Sequence, residues 1–451
     1  MNISVIGLGK LGSPLAAVLA SRGHNVVGVD LDARAVRLMN EGKAPVFEPG
    51  LDNLIQRSRA RLRATSDLEE SIAATEVTFV IVPTPSDESG AFSLRYVLTT
   101  AESIGKALRH KEAFHLVVLT STVMPGATGG EVLPVLEAHS GKPCGRDFGL
   151  CYNPEFIALG TVIRDMLNPD MILIGESDIR SGDTLAGIHD GLCDNRPPIA
   201  RMNFVNAELT KLAVNTFVTT KISFANMLAR ICEHLPGADV DAVTSALGLD
   251  SRIGRKYLRG ALGYGGPCFP RDNVAFTHLA RQIGIRAILA EATDEFNRQQ
   301  IIALADAVLS KLPTAGRVGI LGLSYKPNTN VVEESQGLEL ARHLLAREVP
   351  VVLYDPAAMA DARRALGDVA AFAASAAECA RQADVLVITT PWDEFRALTP
   401  ADLKSSAGRP VVVDCWRMFD RRQFGEVADY VVLGTGPSIG HRAPAGVGGV
   451  S

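Results

Sequence analysis

The sequence predicts an α/β chain: two Rossmann-like, doubly wound parallel-sheet domains joined by a central helical region that serves dimerisation. Three observations predict it. In the first 200 residues, short β-branched runs alternate with helical patterns, the rhythm of a parallel sheet covered on both faces. The last third repeats that rhythm with the same order of features: a glycine-containing first turn, a strand ending in Asp (Asp30, Asp355), then a strand ending in Thr-Pro (Thr84-Pro85, Thr390-Pro391). Between them the apolar spacing turns helical, from about Asn206 to Gln300. These shifts divide the chain at 1–200, 201–300 and 301–440, with a Gly- and Pro-containing tail over 441–451.

Each element has its own signal. "ISVIGLG", "NVVGVD", "VTFVIVPTP" and "HLVVLTST" read as strands, with helices over Leu11–Arg22 and Tyr96–Arg109. "NAELTKLAVNTFVTTKISFANMLARICEHL" reads as one long amphipathic helix with Asn206 as its N-cap, long enough to bridge two domains and offer a face to a second subunit. "RVGILGLSYK", "VVLYDP", "ADVLVITTPW" and "PVVVDCW" supply four more strands. In "GYGGPCFPRDN", Gly263 to Asn273, glycine and proline punctuate the backbone so densely that a shaped loop is expected around Cys268 and Asp272.

Composition narrows the function. The 451 residues carry a net charge of −5, with charges of both signs mixed along the chain and no basic block, so no nucleic acid is expected as partner. The seven cysteines are odd in number and form no CxxC pair, which fits a reducing compartment without a disulfide frame or a zinc knuckle. There is no basic-then-apolar leader and no apolar run near the length of a membrane span, so a cytoplasmic protein without a membrane partner is expected.

"GLGKLG" places Gly7, Gly9 and Gly12 directly after a strand. The first makes the turn, the second lets the backbone approach a pyrophosphate, and the third lets helix pack on strand. The helix N-terminus adds N–H groups and a positive dipole end. Asp30 closes the next strand where an acid meets the adenosine ribose, which favours NAD over NADP because a 2′-phosphate would be repelled. Arg34 could reach the adenosine side, or be an ordinary solvated helix-face arginine. Thr84 and Thr122 end later strands, the edge where ligands of open α/β sheets bind, although Thr and Pro also suit plain turns.

Five residues suit one chemistry. Lys211 and Asn215, spaced i, i+4, share a helix face and could hold a developing alkoxide as NAD takes a hydride from a primary alcohol. The Cys268 thiolate could attack the resulting aldehyde, and the adduct could lose a second hydride to give a thioester. Hydrolysis then needs a carboxylate that handles water, for which Asp272 and Glu155 are candidates. A solvated lysine, a solvated loop glutamate and a structural cysteine are the bland alternatives.

The same motifs resemble the UDP-glucose/GDP-mannose dehydrogenase family. The match runs through "GLGKLG", "VPTP", "STVMPG", "NPEF…G…D…NPD…IG", "AELTKLAVN", "RIGRKYL…GYGGPCFPRD" and "GLSYKPNT". The resemblance implies an NAD-binding domain, a helical dimerisation core and a nucleotide-sugar domain. It implies Cys268 as nucleophile, Lys211 and Asn215 on the C6 oxygen, Asp272 and Thr122 beside the catalytic water, and Glu155 in thioester hydrolysis. It further places Glu155, Phe156 and Leu159 at the sugar, Arg252 across the subunit boundary, Tyr257 to Ala261 and Gly265 around the nucleotide sugar, Lys326 on the substrate side, and Arg271 at the cofactor. Four positions depart from the family pattern. Leu159 stands where glucose-type members carry a second glutamate, and Arg271 replaces a lysine but keeps its charge. Glu333 reverses the charge of a cofactor-side arginine. Trp416 replaces an arginine for which Arg417 could compensate. The expected activity is NAD-dependent oxidation of a nucleotide sugar at C6, in a homodimer, with UDP-glucose, a UDP-N-acetylhexosamine and GDP-mannose all open. The rivals are a sugar-nucleotide-binding protein that has lost catalysis, and a one-step alcohol or hydroxy-acid dehydrogenase; Cys268 and its loop argue against both.

Overall fold

In the computed structural model, which describes residues 1–405 and 408–437, the chain begins with a strand whose every residue after Asn2 is buried. The first sheet holds β1 (Asn2–Ile6), β2 (Asn25–Val29), β3 (Leu62–Thr65), β4 (Val77–Val80), β5 (His115–Leu119), β6 (Phe148–Tyr152), β7 (Ile172–Glu176) and β8 (Ile199–Met202). Their order is β3-β2-β1-β4-β5-β6-β7-β8. All neighbours are parallel except β6 and β7, which run antiparallel. Strands buried on both faces read as unbroken apolar runs, which is why "HLVVL" and "FGLCY" carry no alternation. Strand order reverses between β1 and β4, and the crevice beyond their carboxyl ends is the expected ligand edge. Apolar clusters cover both faces of the sheet.

The second sheet holds β9 (Val318–Leu321), β10 (Val351–Tyr354), β11 (Ala371–Phe372), β12 (Val385–Ile388), β13 (Val411–Asp414) and β14 (Asp429–Val432). It is parallel throughout, in the order β11-β10-β9-β12-β13-β14. The expected fold class, two Rossmann-like parallel sheets with a helical region between them in the chain, is the one observed.

Two units emerge from the packing. One comprises Met1–Thr216 with Arg271–Ala287, the other Phe217–Pro270 with the chain from Ile288 onward. The helical region is therefore shared out between them. Helix Phe204–Glu233 spans 30 residues, of which those up to Thr216 belong to the first unit. Asn206 is not its cap. The helix starts earlier, and the Asn203 side chain accepts the Asn206 N–H at 3.0 Å, so the cap lies three residues upstream. The shaped loop is also shorter than expected. Helix Phe269–Gln282 starts directly after Cys268 and carries Arg271 and Asp272 in its first turn. Pro270 permits this, because the first turn of a helix needs no N–H from it. The expected tail, 441–451, lies outside the described residues.

Candidate functional site

In the first unit the glycine turn follows β1. Gly7 has φ +94°, and a Cβ there would strike the Ile81 carbonyl. A Cβ on Gly12 would strike the Gly7 carbonyl, while one on Gly9 would meet nothing within 4 Å. The first and third glycines are thus demanded by packing, and the second leaves open space where a pyrophosphate would approach. No side chain caps the following helix, Gly12–Ser21, so its positive dipole end faces the turn uncapped, although the Ser13 N–H already donates to the Gly9 carbonyl at 3.2 Å and Pro14 has no N–H. The half-buried Asp30 carboxylate accepts the Leu8 N–H at 2.6 Å and the Asp32 N–H at 2.8 Å. It shapes the turn with one lone pair on each oxygen and keeps capacity for a ribose hydroxyl. These residues fit a dinucleotide. Arg34 is exposed, and its backbone N–H donates to Asp32 Oδ1 at 2.8 Å.

The loops after β4 and β5 are tied together. The Thr84 hydroxyl donates to the Thr122 carbonyl at 2.8 Å. The Ser121 hydroxyl accepts the Val82 N–H at 2.9 Å and donates to the Val82 carbonyl at 2.7 Å. Arg271 donates to the Thr84 carbonyl at 3.3 Å and lies 4.6 Å from the Phe92 ring centre. Thr84, Thr122 and Arg271 are therefore brought together, with the Thr84 hydroxyl spent on holding the loop.

The acid–base residues of this unit meet on one helix. The buried Lys211 ammonium donates to the Glu155 carbonyl at 2.8 Å and sits 4.7 Å from the Phe156 ring centre. One turn on, the buried Asn215 carboxamide donates to Asp272 Oδ2 at 2.6 Å. Arg271 reaches the other oxygen of Asp272 at 3.3 Å. Burial pushes the Glu155 carboxyl up to about 7, with the Lys211 charge opposing it. A carboxyl poised there can give or take a proton at neutral pH. Leu159 packs against the apolar core on one face of the sheet.

Sequence reasoning missed three members of this edge. Glu208, fully buried, accepts the Gly126 N–H at 2.6 Å and the Thr128 N–H at 2.7 Å, fastening the end of the "STVMPGAT" turn. Glu48 does the same for the loop after Leu159, accepting Gly160 and Val162 N–H groups at 2.8 Å. Asn153 donates to the Leu173 carbonyl and accepts from buried His189, fixing the chain two residues before Glu155. Glu208 carried a signal, an acid three residues before Lys211 on the same helix face; Glu48 carried none.

In the second unit, Cys268 is exposed on a loop braced by its own glycines. A Cβ on Gly265 would strike the Glu334 carbonyl, and Gly266, at φ +83°, donates its N–H to the Glu333 carbonyl at 3.0 Å. The reversed charge at Glu333 thus leaves its backbone role intact. Tyr257 has φ +64°, uncommon for a bulky residue, and sets its ring edge-on to Phe269. Arg252 is exposed and paired with Asp250 at 2.6 Å. Lys326 lies 5.9 Å from the Tyr325 ring centre. The expectation that Arg417 could stand in for the arginine missing at Trp416 is corrected. Arg417 is held by both oxygens of Asp241, at 2.6 and 3.0 Å, and donates to the Gly260 carbonyl at 2.8 Å. Among the described residues no group of three His, Cys, Asp or Glu side chains could hold a metal ion.

Comparison with known proteins decides the family. Residues 1–192 match the NAD binding domain of the UDP-glucose/GDP-mannose dehydrogenase family, residues 205–299 its central domain and residues 319–421 its UDP binding domain. The chain belongs to that family. This dehydrogenase is 39% identical to the UDP-glucose 6-dehydrogenase AglM of Haloferax volcanii, over 94% of this chain and 98% of that one. It is 36% identical to the GDP-mannose 6-dehydrogenase of Pseudomonas aeruginosa, over 79% and 81%. A solved UDP-glucose dehydrogenase from Pyrobaculum islandicum superposes with a TM-score of 0.86 at 36% identity, covering 95% of this chain and 96% of its own. The dehydrogenase is an NAD-dependent nucleotide-sugar 6-dehydrogenase, and its cofactor is NAD.

Proposed function

We propose that this dehydrogenase oxidises UDP-glucose at C6 to UDP-glucuronate, a four-electron reaction through a covalent thioester on Cys268. The observation that carries the chemistry is the cluster on one helix face, Lys211 against the Glu155 loop and Asn215 bonded to Asp272 at 2.6 Å, with Glu155 poised at about 7. Bound NAD would supply hydride acceptance, one molecule for each of the two oxidations in succession. The C6 hydroxyl gives up its proton to the water that Asp272 holds, and Lys211 and Asn215 stabilise the alkoxide so formed until the hydride leaves and the aldehyde forms. The Cys268 thiolate adds to the aldehyde carbon, and Lys211 and Asn215 hold the resulting tetrahedral oxygen while the second hydride departs. Water then attacks the thioester, with Glu155 taking its proton and Asp272 and Thr122 fixing its approach. Cys268 leaves as thiolate, and the uronic acid is released.

UDP-glucose is favoured by the match of residues 319–421 to a UDP binding domain and by the near full-length likeness to enzymes named for that substrate. Leu159 favours a second reading, a UDP-N-acetylhexosamine, because it packs into the core where glucose-type members carry a carboxylate. Four further readings complete the proposal. The chain comprises three functional parts, 1–200, 201–300 and 301–440. Phe156, Leu159, Arg252, Tyr257, Gly265 and Lys326 bind the substrate, and Arg34, Thr84 and Arg271 line the cofactor. Two chains pair through the central helix, whose exposed Phe217, Phe224, Met227 and Ile231 form a stripe at helical spacing. The protein works in the cytoplasm; among the described residues no helix is long and apolar enough to cross a membrane. Scoring NADH formation with UDP-glucose, UDP-N-acetylglucosamine, UDP-N-acetylmannosamine and GDP-mannose tests the substrate. UDP-glucose should give the highest kcat/KM, and a higher value for any other sugar overturns the choice.

A further inference from the structure

Three residues on one stripe of helix Phe204–Glu233 each fasten a different loop at the carboxyl edge of the first sheet. Glu208, Lys211 and Asn215 are spaced i, i+3, i+7, which aligns them on one face. Asn215 holds Asp272, and Lys211 holds the carbonyl of Glu155. Glu208 holds the turn that carries Thr122, and it is the member of the stripe to which the reaction above gives no task. That turn is pinned at its start by the Ser121 hydroxyl on Val82 and at its end by the two Glu208 oxygens on Gly126 and Thr128. Half-buried Thr122 lies between the pins.

We propose that Glu208 is a positioning residue for the reaction, its paired oxygens holding the Ser121–Thr128 turn so that Thr122 meets the catalytic water; this rests on the reading of the function above. The Glu208 carboxyl offers one oxygen to each N–H, at 2.6 and 2.7 Å. A carboxamide would turn an NH2 against one of them. Full burial pushes the Glu208 carboxyl above its ordinary range and the two N–H groups oppose that shift, so the fold places a costly buried acid where it fastens this turn. Burial, then the Glu208 and Asp272 carboxylates, raise the pKa of the buried Tyr152 hydroxyl, which stands at the end of β6 three residues before Glu155.

The test is kinetics of the full-length E208Q and E208D variants with NAD and UDP-glucose, counting competent sites by the amplitude of the NADH burst. E208Q should lower turnover per competent site by about ten- to a hundredfold, the worth of one hydrogen bond to a charged group. KM for UDP-glucose should change little, while the melting temperature should fall because one buried N–H loses its acceptor. E208D keeps two acceptors on a shorter arm and should recover part of the loss. Wild-type turnover per competent site in E208Q, with the defect confined to melting temperature or to the fraction of competent protein, overturns the inference alone. Should E208Q fail to fold, wild-type turnover in E208D overturns it equally. A wild-type enzyme that forms no NADH from any nucleotide sugar overturns the functional reading and this inference with it.

Discussion

The two sheets share one order over six parallel strands and a carboxylate at the same strand end, yet they are built for different ligands. A Cβ on Gly12 would strike the Gly7 carbonyl, and one on Gly337 would strike the Gly322 carbonyl, so the close approach of helix to first strand is the same in both. What lies between each pair differs. Gly12 follows Gly7 by five positions, while Gly337 follows Gly322 by fifteen, and the longer excursion carries Lys326 and the carbonyls that brace the cysteine loop. The carboxylates differ as well. Asp30 accepts two backbone N–H groups and remains half-buried. Asp355 is fully buried and accepts from Leu323, Ser324 (N–H and hydroxyl), Ala357, Ala358 and the Trp392 indole, six donors for about four lone-pair sites. No acceptor capacity is left for a ribose. A duplicated topology therefore fixes where a ligand edge lies. The length of the first turn and the saturation of one acid decide what that edge takes.

Exchanging the roles of the two acids is the strongest way to break the comparison. Asp355→Ala strands several buried donors and should destabilise the protein by at least about 3 kcal/mol, at about 1–3 kcal/mol for each unsatisfied group. A shifted denaturant midpoint would show it. Asp30→Ala releases two N–H groups in a half-buried turn and should cost no more than about 1–2 kcal/mol. Its effect should fall on the cofactor, narrowing the preference for NAD over NADP by about tenfold or more, since the repulsion of a 2′-phosphate is lost. Equal stability losses in the two variants, or an unchanged cofactor preference in Asp30→Ala, would break the contrast.

A smaller effect separates acids supplied with backbone donors from one that is not. Burial raises Glu155 to about 7, so below that pH it is protonated and cannot accept a proton from water. Thioester hydrolysis should fall about tenfold per pH unit below that point, and Glu155→Gln should stall after a burst of NADH with added mass on Cys268. Stability should move the other way. The folded pKa lies above the ordinary value, so the folded state holds the proton longer, and stability declines as pH rises from the ordinary carboxyl range through about 7. Glu155→Gln should remove that decline, measured by melting temperature against pH.

The sequence showed both sheets because glycine spacing and β-branched runs are local signals. It did not show the antiparallel neighbour β7, whose direction depends on which strand it meets rather than on its composition. Helix Phe269–Gln282 was hidden by Pro270, a residue that reads as a breaker and acts as a first-turn residue. Lys211, Asn215 and Asp272 were legible as types and spacings, and the structure adds that two of them are bonded to each other. Glu208 and Glu48 were the hardest to see. Each reaches across 80 to 114 residues of chain to a backbone N–H, and a backbone donor leaves no mark in a sequence. Arg417 misled because a free-looking arginine beside Trp416 proved to be committed to Asp241.

The central claim is that the thiol of Cys268 carries the second oxidation, and steady-state production of the uronic acid by Cys268→Ser tests it most directly. A serine hydroxyl is far less ionised than a thiol near neutral pH, and its ester gives a slower route to product. With NAD and UDP-glucose in excess, the variant should make UDP-glucuronate at least about a hundredfold more slowly than the wild type, the scale expected for removing a central catalytic group. Wild-type production of the uronic acid by Cys268→Ser would contradict the account and leave the glycine–proline loop around that residue a structural feature.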